Sequence, residues 1–163
     1  MAQAQHALAS MYRNGQGMAQ NDVEAAWWLS KATDQRDADA QHNLANMYLN
    51  GQGVAQSAVE AARWYRKAAD QGMAQAQYNL GTMFDQGRGV AQSDVEAVRC
   101  YCKAADQGIA QAQHALASKY RDRQGVAQSD MEAARSYCKA AGQRMAQAQH
   151  KLANMYLNGQ GVA

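Results

Sequence analysis

The strongest constraint on this chain is its period. The string AQAQ opens at Ala2, Ala74, Ala110 and Ala146, and ADAQ opens at Ala38, so each step is 36 residues with no insertion or deletion. Four full repeats cover 2–37, 38–73, 74–109 and 110–145, and a half repeat covers 146–163. Leu8, Leu44, Leu80, Leu116 and Leu152 share one register position, and Tyr12, Tyr48, Phe84, Tyr120 and Tyr156 share another. Lys31, Lys67, Lys103 and Lys139 share a third. Met1 is in register with Met73 and Met145, so the chain reads equally well as a natural start or as a stretch of a longer array. A fixed period of this length is the mark of units that stack, and a single array over 1–163 is the expected organisation.

Each repeat reads as two helices. Ala4, Leu8 and Tyr12 recur at i, i+4 and i+8, which makes one apolar stripe. Asn14-Gly15 closes that helix, with glycine at the left-handed C′ position. The second helix opens on a capping box, S-x-x-E, at Ser57 to Glu60, Ser93 to Glu96 and Ser129 to Glu132, with Asn21 to Glu24 as the variant. Gly72 and Gly108 end the second helix, and Arg36 and Arg144 stand at the same position in the other repeats. Ala9, Ala45, Gly81, Ala117 and Ala153 follow the stripe leucine, where bulk would push helices apart. Proline is absent, as suits helices. A hairpin this small cannot bury its stripe alone. The expected fold is all-α, an α-solenoid (superhelix) of helix-turn-helix repeats.

Composition removes several function classes. The formal charge is only +2, which gives no nucleic-acid footprint. No run of about 18 apolar residues is present, so no membrane span is expected. MAQAQHALASMYRN lacks the basic and apolar regions of a signal peptide. The three cysteines are an odd number without a framework, which favours a reducing, cytoplasmic location. Cys100 takes a tryptophan register position and reads as a small buried hydrophobe. Cys102 and Cys138 share a position on the outer face of second helices, too far apart for a disulfide. The pairs Gly15-Gln16-Gly17, Gly51-Gln52-Gly53 and Gly87-Arg88-Gly89 follow helices, not strands, and no G-K-[ST] comes after them. With no G-x-S-x-G and no H-E-x-x-H, no enzyme activity and no cofactor are expected.

The first helices carry a second pattern. His6, His42, His114 and His150 occupy one register position, with Tyr78 there in repeat three. One turn on, Ser10, Asn46, Thr82, Ser118 and Asn154 form a polar row, with Asn43 and Asn79 beside it. A helical wheel puts this ladder on the side away from the leucine stripe. First helices of a hairpin solenoid line its concave face, where columns of histidine and asparagine can clasp a peptide backbone. The competing reading is an inherited surface feature under no functional demand. Metal binding is not expected. Packed helices lie about 8–10 Å apart, zinc needs ligand atoms near ~2.0–2.1 Å, and no carboxylate or thiol joins the ladder within a repeat. Trp27, replaced by Arg63, Arg99 and Arg135 in later repeats, reads as exposed, either as a contact at the N-terminal end or as packing over its edge. Glu60 with Arg63, Glu96 with Arg99 and Glu132 with Arg135 are i, i+3 pairs worth a few tenths of a kcal/mol.

The motif A-x-A-Q-x-x-L-(G/A)-x-x-Y-x-x-G-x-G-V, followed by D-x-x-x-A-x-x-W-Y-x-K-A-A-x-Q-G, resembles the Sel1-like repeat. Repeat two carries it as AQHNLANMYLNGQGV and VEAARWYRKAADQG, and repeat three as AQYNLGTMFDQGRGV. The resemblance implies a superhelix of hairpins acting as an adaptor or scaffold that binds other proteins. Some members of the family are laced by a cysteine pair in each repeat, a spacing this chain lacks. The leading expectation is a non-enzymatic module binding a protein or peptide segment in the concave groove. The alternative is a building block that self-associates through its ends, since Leu152, Met155 and Tyr156 have no second helix after them. Two departures concern stability. Arg123 replaces the first turn glycine in repeat four, and the tryptophan position reads Trp28, Trp64, Cys100, Ser136. Hydrogen exchange should therefore show weaker amide protection in repeats three and four than in one and two, and uniform protection would refute this.

Overall fold

The computed structural model describes residues 2–122 and 146–157 and, between them, positions 133, 136, 137 and 139. Its helices are α1 (Ala2–Asn14), α2 (Asp22–Thr33), α3 (Ala38–Asn50), α4 (Ala58–Asp70), α5 (Ala74–Gln86), α6 (Asp94–Asp106), α7 (Ala110–Asp122) and α8 (Ala146–Leu157). No strand occurs among the described residues. The fold is all-α, and the helices alternate between the two types that the period predicts.

Local chemistry explains the boundaries. Ser57 and Ser93 hydroxyls accept from the backbone N–H of Glu60 and Glu96 at 3.2 and 3.3 Å. Asn21 Oδ1 accepts from Val23 and Glu24 at 3.0 and 3.1 Å. The other half of the expected capping box is not made. The N–H groups of Asn21, Ser57 and Ser93 donate to the carbonyls of Tyr12, Tyr48 and Phe84 at 2.9, 2.9 and 3.0 Å. That bond ties the two helices of a hairpin across their turn, and it leaves the glutamates free for other work. Glu60 and Glu96 lie 3.6 and 3.7 Å from Arg63 and Arg99 on the surface. Asp37 caps α3 through the Ala40 N–H at 2.9 Å. At the end of second helices Gly72 and Gly108 take φ of 89° and 87°, and Arg36 takes 59°. Ser129, Arg123, Arg135 and Arg144 lie outside the described residues.

The chain divides into two compact units, residues 1–76 with 88–91 and residues 77–87 with 92–163. In the first unit α1 packs on α2, α2 on α3 and α3 on α4. Ala25, Leu29 and Ala32 of α2 meet Ala40, Leu44 and Met47 of α3 in one buried cluster, with Trp28, Tyr48 and Trp64 packed around it. The predicted stripe is therefore buried in α3, where α2 covers it. In α1, which has no such neighbour, Ala4 is exposed and Leu8 half-buried. In the second unit α6 packs on α7, burying Ala97, Tyr101, Ala104, Ala112 and Leu116 together. A further cluster joins Ala117, Ala133, Tyr137, Ala148 and Met155.

Small residues set how closely the helices approach. Ala9, Ala45 and Ala117 are buried, and a Cβ on Gly81 would sit 2.8 Å from the Tyr101 ring. Glutamine pairs, in which Gln41 and Gln77 are buried, add a polar clamp inside the first three hairpins. Gln35, Gln71 and Gln107 donate through Nε2 to Oε1 of Gln5, Gln41 and Gln77 at 2.8, 2.8 and 2.9 Å.

The second glycine of the turns in repeats two and three makes the closest approach. Gly53 and Gly89 have φ of 66° and 70°. A Cβ there would lie 2.0 Å from the Asp22 carbonyl oxygen and 2.2 Å from that of Ala58, so the turn rests on the first residue of the preceding repeat's second helix. Gly17 has φ of 74° but only Met11 Cε nearby, at 3.9 Å. Gly17→Ala should cost about 1–2 kcal/mol, the left-handed penalty alone. Gly53→Ala should cost clearly more, because backbone must also move. Urea denaturation of the two variants gives the comparison, and equal losses would refute it.

Candidate functional site

In repeats two, three and four the ladder residues lie at the seam between the two helices of a hairpin. Tyr65, Tyr101 and Tyr137 recur at one register position of the second helices. Their rings pack on the ladder of the first helices, with centroids 5.6 Å apart for His42 and Tyr65, 5.8 Å for Tyr78 and Tyr101, and 5.4 Å for His114 and Tyr137. Their hydroxyls reach the polar row one turn on. Tyr65 donates to Asn46 Oδ1, Tyr101 to Thr82 Oγ1 at 3.5 Å, and the Ser118 and Tyr137 hydroxyls share a bond of 3.0 Å. Tyrosine suits such a seam because its body is apolar and its tip needs a partner. Repeat one has Leu29 at the tyrosine position, so Ser10 and His6 have no such backing.

The wheel's outward placement of the ladder is corrected accordingly. His42, Tyr78, His114, Asn46, Thr82 and Ser118 are half-buried, because the first helix has a second buried side facing its own partner helix. His6 is half-buried and accepts at Nε2 from the Asn43 amide at 2.8 Å, with Nδ1 3.9 Å from Asp37 Oδ1. Asn79 on α5 is half-buried. On α8, His150 and Asn154 are exposed and bonded to each other at 3.2 Å.

Burial governs the charge states. It lowers the pKa of His42 against the opposing pull of Asp39. It lowers that of His114 as well, where Lys151 and Arg121 add to the effect. His114 Nε2 is buried with no hydrogen-bond partner among the described residues. Burial also pushes the Tyr101 hydroxyl and the Cys102 thiol up.

One buried charge escaped the reading of the sequence. Lys119 stands where the other repeats have Met11, Met47, Met83 and Met155, and it is only 5% exposed. Its ammonium group donates to Asp85 Oδ1 and, at 2.8 Å, to Asp94 Oδ1. Burial alone would lower its pKa, but the two carboxylates outweigh that and raise it. The signal was present in the sequence, since Leu49 gives way to Asp85 one repeat on as methionine gives way to lysine at 119.

Other expectations resolve individually. Trp27 is 49% exposed, edge-on to Trp28 with centroids 4.6 Å apart, and Lys31 Nζ lies 5.6 Å from its ring centre. Cys100 is buried in the tryptophan position. Cys102, read as outward, is half-buried, and Cys138 lies outside the described residues. Among the described residues no three His, Cys, Asp or Glu side chains gather as a metal set, and no helix is long and apolar enough to cross a membrane.

The pKa shifts predict a stability profile with two falling limbs. His42 and His114 have folded values below their unfolded ones, so the unfolded chain takes up protons first. Their contribution is full above about pH 6.5 and declines as the pH drops from there toward the folded values. Cys102 and Lys119 are raised, so their contributions are lost as the pH climbs past about 8.5 and about 10.4 respectively. Urea midpoints should peak between these limbs, and the double variant His42→Gln, His114→Gln should flatten the acid one. An unchanged acid limb in that variant would refute the assignment.

The profile of the Sel1 repeat matches residues 2–37, 38–73, 74–109, 110–144 and 146–163. Among solved structures, a protective antigen present in uropathogenic Escherichia coli strains and displaying an SLR fold is 35% identical with a TM-score of 0.97. That match covers 99% of this chain and 35% of the antigen, so this chain spans about a third of its length. A Sel1 repeat protein from Oxalobacter formigenes is 33% identical with a TM-score of 0.96, covering 99% of this chain and 67% of that one. Helicobacter pylori cysteine rich protein B is 28% identical with a TM-score of 0.54, over 56% of this chain and 69% of that one. A search of curated proteins finds no match. With an all-α solenoid fold of consecutive helix pairs and a matching profile along its length, the chain belongs to the Sel1 repeat family.

Proposed function

We propose that this chain is a non-enzymatic interaction module that holds an extended segment of a partner protein in a groove along the ladder face of the first helices within a unit. Sel1 repeat proteins are generally protein-interaction modules. In the first unit the face offers His6, Ser10, His42, Asn43 and Asn46. In the second it offers Tyr78, Asn79, Thr82, His114 and Ser118, with His150 and Asn154 on α8.

The observation that carries this reading is the tyrosine backing. Tyr65 engages Asn46 Oδ1 and leaves the Nδ2 amide able to donate to a peptide carbonyl. A polar side chain already held in place loses little freedom when it binds, so more of its hydrogen-bond energy appears as affinity. Half-burial leaves part of each ladder residue open to a ligand. The charge of +2 argues against nucleic acid and against an anionic membrane surface as partners.

A second reading rests on α1. Ala4, Gln5, Leu8 and Trp28 line an open recess of about 220 Å³, although the equivalent Ala40 and Leu44 are buried. This apolar face suits a second copy or further repeats, and concentration-dependent sedimentation tests for the former.

The groove is tested with segments selected from a displayed peptide library. The double variant His42→Ala, Asn46→Ala should weaken binding at least about tenfold. Tyr65→Phe, which removes only the hydroxyl that orients Asn46, should weaken it less. Unchanged affinity in a folded double variant would refute the groove.

A further inference from the structure

The tryptophan register position provides an internal comparison. In the first unit, Trp64 packs against the cluster that contains Ala32 and Leu44, with Lys67 Nζ 4.0 Å from its ring centre. Its equivalent in repeat four is Ser136. There the second unit holds a cavity of about 300 Å³, lined by Cys102, Gln113, Leu116, Tyr120, Ser136 and Lys139 among others. By register, Gln113 matches Gln41, Leu116 matches Leu44, Tyr120 matches Tyr48 and Lys139 matches Lys67. The surroundings that receive an indole in the first unit are thus repeated in the second, with a hydroxymethyl group in place of the ring.

We propose that this cavity is a binding site for an indole ring brought by a ligand. Its volume suffices, since a cavity of about 150 Å³ accepts benzene, and about 300 Å³ is the lower end of ordinary ligand pockets. Its chemistry also fits. Leu116 and the Tyr120 ring supply apolar walls, and Lys139 provides the cation that Lys67 places over Trp64. The Cys102 sulfur adds a polarizable contact suited to a ring edge. Asp106 and Ser136 add oxygen acceptors to the wall. Trp64 Nε1 has no hydrogen-bond partner among the described residues, so the second site can satisfy an indole N–H that the first leaves unmet. Two sources present this ring: free indole, and a tryptophan side chain on a partner peptide.

The test is two-dimensional NMR of the whole chain titrated with indole and, separately, with N-acetyltryptophanamide. Saturable shifts at the Leu116 methyls, with the Leu44 methyls unmoved, are expected. Binding of both probes identifies a peptide tryptophan as an admissible source, and binding of indole alone identifies a small free ligand. Ser136→Trp should fill the site and weaken indole binding at least tenfold. Lys139→Gln, which keeps the cavity open, should weaken it about two- to fivefold, the worth of one cation–π contact. Absence of saturable shifts with either probe would overturn the proposal. So would shifts that persist unchanged in a folded Ser136→Trp chain, or shifts centred on Leu44.

Discussion

A pair of helices about thirteen residues long has an apolar stripe that it cannot cover by itself, and everything else in this molecule follows from how closely the next pair can come. The residues that decide this are the small ones. Ala40 and Ala45 on α3, and Ala112 and Ala117 on α7, are fully buried. Alanine brings little apolar area, so the gain comes from many short contacts between backbones that nearly touch. The turn glycines at 53 and 89 take this to its limit, with backbone resting on backbone. Such an interface tolerates very little added volume, which is why its small residues recur in strict register while the outer faces vary.

What could be read from the sequence is what depends on neighbours along the chain. The period, the two helix types, the left-handed glycines and the serine caps all follow from residues within a few positions of each other. The capping box was half legible: the hydroxyl bond is local, but the N–H of Ser57 goes to the Tyr48 carbonyl across the turn, and a motif within the second helix cannot reveal that. The ladder was misjudged for a related reason. A wheel drawn around the leucine stripe gives the first helix one buried side, whereas α3 and α7 have two, one facing the preceding hairpin and one facing Tyr65 or Tyr137 of their own. The glutamine clamp was hidden in the abundance of glutamine. Only the fold distinguishes the buried Gln41, bonded to Gln71, from exposed Gln52 or Gln56.

The same seam links hairpin packing to the proposed groove. Tyr65, Tyr101 and Tyr137 pack on the ladder and bond to the polar row, so one set of contacts both closes these hairpins and positions the side chains of the proposed groove. Substitutions at the tyrosine position are therefore felt on the ladder without touching it, and Leu29 makes repeat one the place where the ladder is least constrained.

Lys119 adds a different property to the array. A stack held together by methionine and alanine treats its units as interchangeable, so a hairpin could in principle dock on any other. Repeat four cannot, because its buried ammonium needs two carboxylates and only repeat three supplies both, Asp85 and Asp94. The matching positions are Arg13 and Asp22 in repeat one and Leu49 and Ala58 in repeat two. Docking there would strand a desolvated cation, a mismatch that costs several kcal/mol. A single methionine-to-lysine exchange thus gives an otherwise repetitive chain a fixed order at one joint, and it discourages slippage by one unit.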